Sequence, residues 1–576
     1  MRLEEYWGVG PKTADKLETE LGVPDAVDAI ESANVRALVD AGISRGRATR
    51  ILRRANGGEG MDALATDDAR AVYKELVALA ADYAVTPGAA DRIRVRTPLT
   101  DRDAMRERLD DVEAARETWA RLGGETKQAV LDTFDAHDDA GDTQRAAVET
   151  ALALQDAVSE DSGVFAAVTT LDRDALEDAV EALRHLTGDG VAAGADAKLD
   201  RLRERASDLE RDTFDVLEDV RSQGVEGTDE FREAFVQYVA SEAGVEPRRV
   251  RNAMAADAAD AADFVSTTLR ALADDVREDE RDREDEVAAE LRGAISNARE
   301  EVDAAVTAVS DLAVDVSLAR FAEAHDLTRP DFVDADAIAV ENARNLSLAA
   351  DGGDVQPVTY AVGDHSLDPP NGDRVTVLTG ANSGGKTTLL ETLCQVAVLA
   401  AMGLPVPADR AELGPVDAIV FHRRHASFNA GVLEATLNSV IPPLTEGDRT
   451  LMLVDEFEAI TEPGSAADLL HGLVTLTVDE QALGVFVTHL ADDLEPLPDV
   501  ARTDGIFAEG LSQDLDLLVD YQPRFGTVGK STPEFIVSRL VADAGDRAER
   551  AGYETLARAV GEEAVQRTLA DAEWSE

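Results

Sequence analysis

The string Gly380-Ala381-Asn382-Ser383-Gly384-Gly385-Lys386-Thr387 has the spacing G-x-x-x-x-G-K-[ST] and directly follows an apolar run, Val375 to Leu378. Glycines at these positions let backbone N–H groups curl around phosphate oxygens, the lysine neutralises β and γ charges, and the Thr387 hydroxyl is a ligand for Mg2+. A glycine turn alone explains neither the lysine nor the strand-loop-helix setting. With Thr388, this loop is the expected nucleotide cradle. It calls for an acid at the end of a neighbouring strand, and Leu451-Met452-Leu453-Val454-Asp455-Glu456 supplies two. Asp455 is expected to hold Mg2+, directly or through water, and Glu456 to polarise the attacking water. The bland alternative is two acids that begin a turn. A third apolar run ends in Thr488-His489, where the imidazole is expected to sense the γ-phosphate or orient the water. The catalytic set is therefore Lys386, Glu456 and His489, with ATP and Mg2+ as cofactors.

Four short apolar runs position these residues: Val375 to Leu378, Ala418 to Phe421, Leu451 to Val454 and Val485 to Val487. Bounded by Gly, Asp and Pro, they read as buried strands of an α/β sheet, with helices at 386–401 and about 464–477. The order of phosphate loop, acidic strand and Thr-His suits an ABC-type P-loop ATPase, assigned to 336–545, with C-terminal helices over 546–576. Upstream, 63–335 is rich in Ala, Leu and Val at three- and four-residue spacing and reads as a long all-α core. Its most coil-like stretches, Lys198 to Val220 and Phe264 to Val316, flank a glycine-containing insert near 221–263 and are expected to return antiparallel as an arm. A simple helical bundle or spacer is the duller reading. The charge run Glu278 to Glu286 is expected to be a solvated helix face.

The first 56 residues repeat with a period of 34 when Gly8 is aligned with Gly42, since Ala14 then meets Ala48, Lys16 meets Arg50 and Leu17 meets Ile51. Gly8-Val9-Gly10-Pro11-Lys12 resembles the helix-hairpin-helix module, in which a Gly-x-Gly turn aims backbone N–H groups at DNA phosphate. Ser44 stands in place of the second glycine of the second copy. This segment carries nine basic and nine acidic side chains within a chain of net charge −60, and residues 41–55 hold five arginines and no acid. Expected phosphate contacts are Gly8, Gly10, Lys12, Lys16, Arg45, Arg47, Arg50, Arg53 and Arg54. Gly57-Gly58-Glu59-Gly60 reads as a linker.

The acid excess, with only seven lysines against 49 arginines, fits a cytosol of molar salt, where the Debye length is about 3 Å. The charge therefore speaks of a halophilic habitat more than of partners. The single cysteine, Cys394, lies among leucines and reads as a buried hydrophobe, and no apolar run reaches membrane-spanning length. A cytoplasmic protein without membrane contact is expected.

The strings LTGANSGGKTTLLETL and DEFEAITEP resemble the MutS superfamily. The resemblance extends to Thr86 through Glu117 and to Asp311 through Phe321 with Arg344-Asn345. It continues over Tyr521 to Leu540, so that Gly529-Lys530-Ser531 is not a second phosphate loop. Phe-x-Glu tripeptides at Phe231, Phe321 and Phe507 lie too far along the chain for the family's mismatch wedge, and the helical core begins near residue 63, leaving no room for a mismatch-reading domain. With no Smr nuclease domain expected after residue 576, the best match is the archaeal branch lacking mismatch recognition. The fold class is thus multidomain: an N-terminal all-α tandem helix-hairpin-helix (1–56), a long all-α core with a coiled arm, and a C-terminal α/β ABC-type P-loop ATPase. The resemblance implies ATPase activity, DNA binding of little sequence preference, on duplex or branched DNA, and a homodimer in which Ser427 or Asn429 reaches the opposite nucleotide. Thr461-Glu462-Pro463 fits the family pattern; Glu458 and Ile460 replace its glycines. Enclosure of DNA by the arms would keep it where salt defeats charge attraction. The alternative is an ATPase acting on ribosomes or structured RNA.

Overall fold

The N-terminal repeat forms four short helices: α1 (Pro11–Glu20), α2 (Val23–Glu31), α3 (Val35–Asp40) and α4 (Arg45–Ala55). Val9, Ala14 and Leu17 of the first copy and Ile43, Ala48 and Ile51 of the second are buried in one apolar cluster, so the copies meet through equivalent positions. Gly8 and Gly42 share a left-handed φ, +81° and +78°. Next come α5 (Asp67–Ala81) and α6 (Pro87–Val95), started by the hydroxyls of Thr66 and Thr86, and then α7 (Arg102–Arg121). The computed structural model describes residues 3–568 except 4–5, 7, 32, 56–57, 59, 142, 159–162, 188–189, 211–212, 226, 354, 381–384, 425–429, 447–448, 458–462, 512–516, 530–532, 562–564 and 566.

The chain divides into two compact units, one formed by residues 1–131 with 310–576 and the other by residues 132–309. The helical unit is narrower than the 63–335 expected, because its flanks bury their polar and apolar groups within the other unit. There the Val85 N–H donates to Ser317 Oγ at 3.0 Å, and Leu64 forms a parallel bridge with Ile419.

In chain order the next elements are α8 (Gly124–Ala140), α9 (Gln144–Ala157), α10 (Ala166–Thr169), α11 (Arg173–His185), and the strand pair β1 (Leu186–Thr187) and β2 (Gly190–Val191). There follow α12 (Ala197–Leu209), α13 (Thr213–Ser222), α14 (Thr228–Glu242), α15 (Pro247–Ala253), α16 (Ala261–Asn297) and α17 (Arg299–Ala324). Asp196, Arg203 and Glu210 pair respectively with Arg283, with Glu280 and Glu284, and with Arg277. Ascending numbers before and along α12 meet descending numbers on α16, so the two run antiparallel. The stretch from Lys198 to Val220 is two helices, not one. The second turns Val216, Leu217 and Val220 into a cluster with Phe235, Val236 and Phe264 that also absorbs the insert. Part of the 278–286 charge run is spent on α12, beyond the solvated face expected of it.

The α/β region begins with β3 (Asp331–Phe332), β4 (Ala337–Ala343), α18 (Leu346–Ala350), β5 (Val358–Gly363), β6 (Val375–Gly380), α19 (Lys386–Ala401), β7 (Arg410–Leu413) and β8 (Ala418–His422). It continues with α20 (Ala430–Glu446), β9 (Thr450–Asp455), α21 (Pro463–Asp479), β10 (Leu483–Val487), β11 (Ala501–Leu511), β12 (Leu517–Arg524), α22 (Pro533–Asp543) and α23 (Arg547–Val560). One sheet has the order β12-β11-β6-β10-β9-β8, with β11 to β8 parallel and β12 antiparallel at the edge. Every residue of β6, β8, β9 and β10 is buried, as a parallel sheet covered on both faces requires. All four runs expected to be strands are strands, and both expected helices are present. The second sheet, β3-β7-β4-β5, was not foreseen. No described helix is long and apolar enough to cross a membrane.

Candidate active site

Lys386 opens α19 directly after β6 and the phosphate-loop glycines. Gly385, at φ +68°, is the residue before the helix, and a Cβ there would lie 2.8 Å from Tyr521 Cδ1. Only glycine meets both demands without strain. Gly529 closes the start of the loop from another side, its N–H donating to Thr379 Oγ at 2.6 Å while its Cα side faces Gly380. That packing accords with Gly529 not belonging to a second phosphate loop; Lys530 and Ser531 lie outside the described residues. So do Ala381, Asn382, Ser383 and Gly384 of the loop, and Ser427, Asn429, Glu458, Ile460, Thr461 and Glu462.

Lys386 is only 4% exposed, and its Nζ donates to the Gly380 carbonyl at 2.9 Å. The Thr387 hydroxyl donates to Asp455 Oδ2 at 2.6 Å across the gap between α19 and the end of β9. Asp455 Oδ1 is buried and has no hydrogen-bond partner. Burial pushes the Asp455 carboxyl above its usual range, with the Thr387 hydrogen bond acting against this. A buried carboxylate with one unsatisfied oxygen beside a threonine hydroxyl suits Mg2+, which binds through one or two such groups with phosphates completing its shell. Among the described residues no cluster of three or more His, Cys, Asp or Glu side chains forms a self-sufficient metal site.

Glu456 follows at φ +40°, a left-handed conformation that non-glycine residues adopt where surrounding structure enforces it. Its backbone N–H donates to the Val487 carbonyl at 3.0 Å, bringing the ends of β9 and β10 together. His489 Nε2 lies 3.0 Å from Glu456 Oε1, and Arg424 Nη1 lies 2.6 Å from Oε2. The His489 hydrogen bond, outweighing burial, holds the Glu456 carboxyl below its usual range. The structure thus brings Lys386, Thr387, Asp455, Glu456 and His489 to one end of the parallel sheet.

Beside the loop lies a cavity of about 220 Å3 lined in part by Asn345, Leu348, Val358, Thr388, Thr392 and Tyr521. Asn345 Nδ2 donates to Thr392 Oγ1 at 3.3 Å, and the Leu346 N–H to Gln395 Oε1 at 2.9 Å, fixing this wall to α19. Sequence reading quoted Asn345 and Tyr521 but gave neither a place in the site; an aromatic some 135 positions from the loop carries no local signal.

The N-terminal cations divide into two groups. Arg45 pairs with Asp91, Arg53 donates to the Arg94 carbonyl at 3.0 and 2.7 Å and lies over the Tyr73 ring, and Arg54 reaches the Gly58 carbonyl and Asp62. These three, expected to meet phosphate, tie α4 to α6 and to the following segment. Lys16 caps the Gly42 carbonyl at 2.6 Å. Lys12, Arg47 and Arg50 are exposed; the last two make only 3.3 Å bonds, to the carbonyls of Gly8 and Gly46. Gly8 is exposed and Gly10 half-buried.

Residues 376–495 match the family model of MutS domain V. A stretch of 218 residues, 37% of this chain, is 42% identical to "DNA-binding protein MutS2" of Pyrococcus furiosus and covers 38% of it. Another of 224 residues is 32% identical to "Endonuclease MutS2" of Solidesulfovibrio magneticus and covers 28% of that protein, so the match spans well under half of each relative. The domain V match falls on the strands and helices that carry Lys386, Asp455, Glu456 and His489, so this part of the chain is similar to the MutS superfamily's domain V.

Proposed function

We propose that this chain is an Mg2+-dependent ATPase that binds DNA with little sequence preference and acts as a homodimer on branched or recombining duplexes rather than on mismatches. The observation that carries the reading is the convergence at the start of α19, where Thr387 meets Asp455 at 2.6 Å and Glu456 meets His489 at 3.0 Å. Lys386 and the loop N–H groups hold the triphosphate, with the base in the cavity beside Tyr521. Thr387 and Asp455 hold Mg2+, which when bound neutralises β- and γ-phosphate charge. Glu456 accepts a proton from water as the water oxygen bonds to the γ-phosphorus and the bond to the ADP oxygen breaks. His489 keeps the carboxylate oriented.

Support for DNA comes from the helix-hairpin-helix resemblance of residues 1–56 and from the exposed Lys12, Arg47 and Arg50. The relative named a DNA-binding protein agrees with it. Phosphate contacts of this kind position a protein without reading bases. Support for a dimer comes from apolar side chains left exposed on α22 and α23, namely Ile536, Leu556 and Val560. The test is binding of the purified protein to duplex DNA, a four-way junction and structured RNA at high KCl, with and without ATP, alongside steady-state ATP turnover. Preference for the junction and a dimer stabilised by ATP are expected; preference for RNA overturns the DNA assignment.

A further inference from the structure

Both oxygens of Glu456 are engaged. His489 takes Oε1 and Arg424 takes Oε2 at 2.6 Å. At 2.6 Å from Oε2 the guanidinium occupies one approach by which water can reach this carboxylate, and that charge-assisted contact must be given up for water to take its place. We propose that Arg424 is an autoinhibitory latch that holds Glu456 out of action until its guanidinium swings away from the carboxylate. The inference rests on the ATPase reading above.

The adjacent arginine shows what a purely structural cation looks like here. Arg423 pairs with Glu391 at 2.6 Å and lies over the Phe421 ring, and its N–H donates to Asp68 at 2.9 Å. Arg424 differs in its exposure and in the carboxylate it holds, which stands at the end of β9 beside Asp455. Its side chain is 55% exposed, while the carboxylate it grips is 11% exposed. It can therefore leave Glu456 by rotating into solvent without opening a void.

Its backbone, in contrast, is anchored. Thr66 Oγ1 donates to the Phe421 carbonyl at 2.6 Å and accepts from the Phe421 N–H at 3.1 Å, so the start of α5 fixes the strand end from which Arg424 projects.

The experiment is steady-state ATP turnover without DNA for the wild type, Arg424→Ala, Arg424→Lys, and Arg424→Ala combined with Glu456→Gln. The latch requires kcat to rise about three- to tenfold in Arg424→Ala, with KM unchanged. Arg424→Lys, which keeps the charge but not the planar fork, should give a smaller rise, and Glu456→Gln should abolish the gain. Unchanged or reduced kcat in Arg424→Ala, with wild-type turnover present, overturns the latch and leaves the ATPase reading standing. Absence of turnover in every protein overturns both.

Discussion

The parallel sheet around β6, β9 and β10 and the antiparallel pair α12 with α16 are held by different forces. In the sheet every residue of the three strands is buried, and Asp455 at the end of β9 is thereby held against Thr387 at the start of α19. In the helical pair charged partners such as Arg203 with Glu284, at 2.9 Å, flank a thin apolar seam. Burial of a leucine is worth several times an accessible ion pair. The sheet therefore fixes catalytic atoms, while the helical pair sets register at low energetic cost per contact and remains adaptable.

Four substitutions sharpen that contrast. Lys386→Ala has the largest expected effect, loss of ATP binding by about a hundredfold or more, since it removes the buried cation that opens α19; equilibrium nucleotide titration checks it. Leu453→Ala, at a fully buried position of β9, should lower stability by about 2–5 kcal/mol in urea unfolding. Tyr521→Ala removes one wall of the cavity beside Gly385 and should raise the KM for ATP several-fold, on the order of 1 kcal/mol, with little change in kcat. Arg203→Ala breaks pairs with Glu280 and Glu284 yet should cost no more than about 1 kcal/mol, less as KCl rises. A larger loss for Arg203→Ala than for Leu453→Ala reverses the comparison.

What could be read from the chain follows the same division. Motif residues and fully apolar strands announce themselves locally, so Lys386, Thr387, Asp455, Glu456 and the four buried runs stand out from spacing alone. Three features had no such signal. The Thr66 hydroxyl that pins Phe421 lies 355 residues away in sequence. The second sheet is built from strands far apart in sequence, β7 pairing with β3 and β4 across more than 60 residues. The arginines Arg45 and Arg53 stand in a basic stretch, and their partners Asp91 and Arg94 are on a helix that the charge pattern does not link to them. Likewise the doublet Arg423-Arg424 gives no hint that one cation is structural and the other grips Glu456.

The claim on which the rest depends is that Glu456 is the general base beside a nucleotide held by Lys386. Glu456→Gln keeps the side-chain shape and removes the charge, so the decisive measurement is ATP binding and single-turnover hydrolysis by this variant in Mg2+. Retained binding with hydrolysis slowed about a hundredfold or more is expected, and hydrolysis at the wild-type rate would contradict the account.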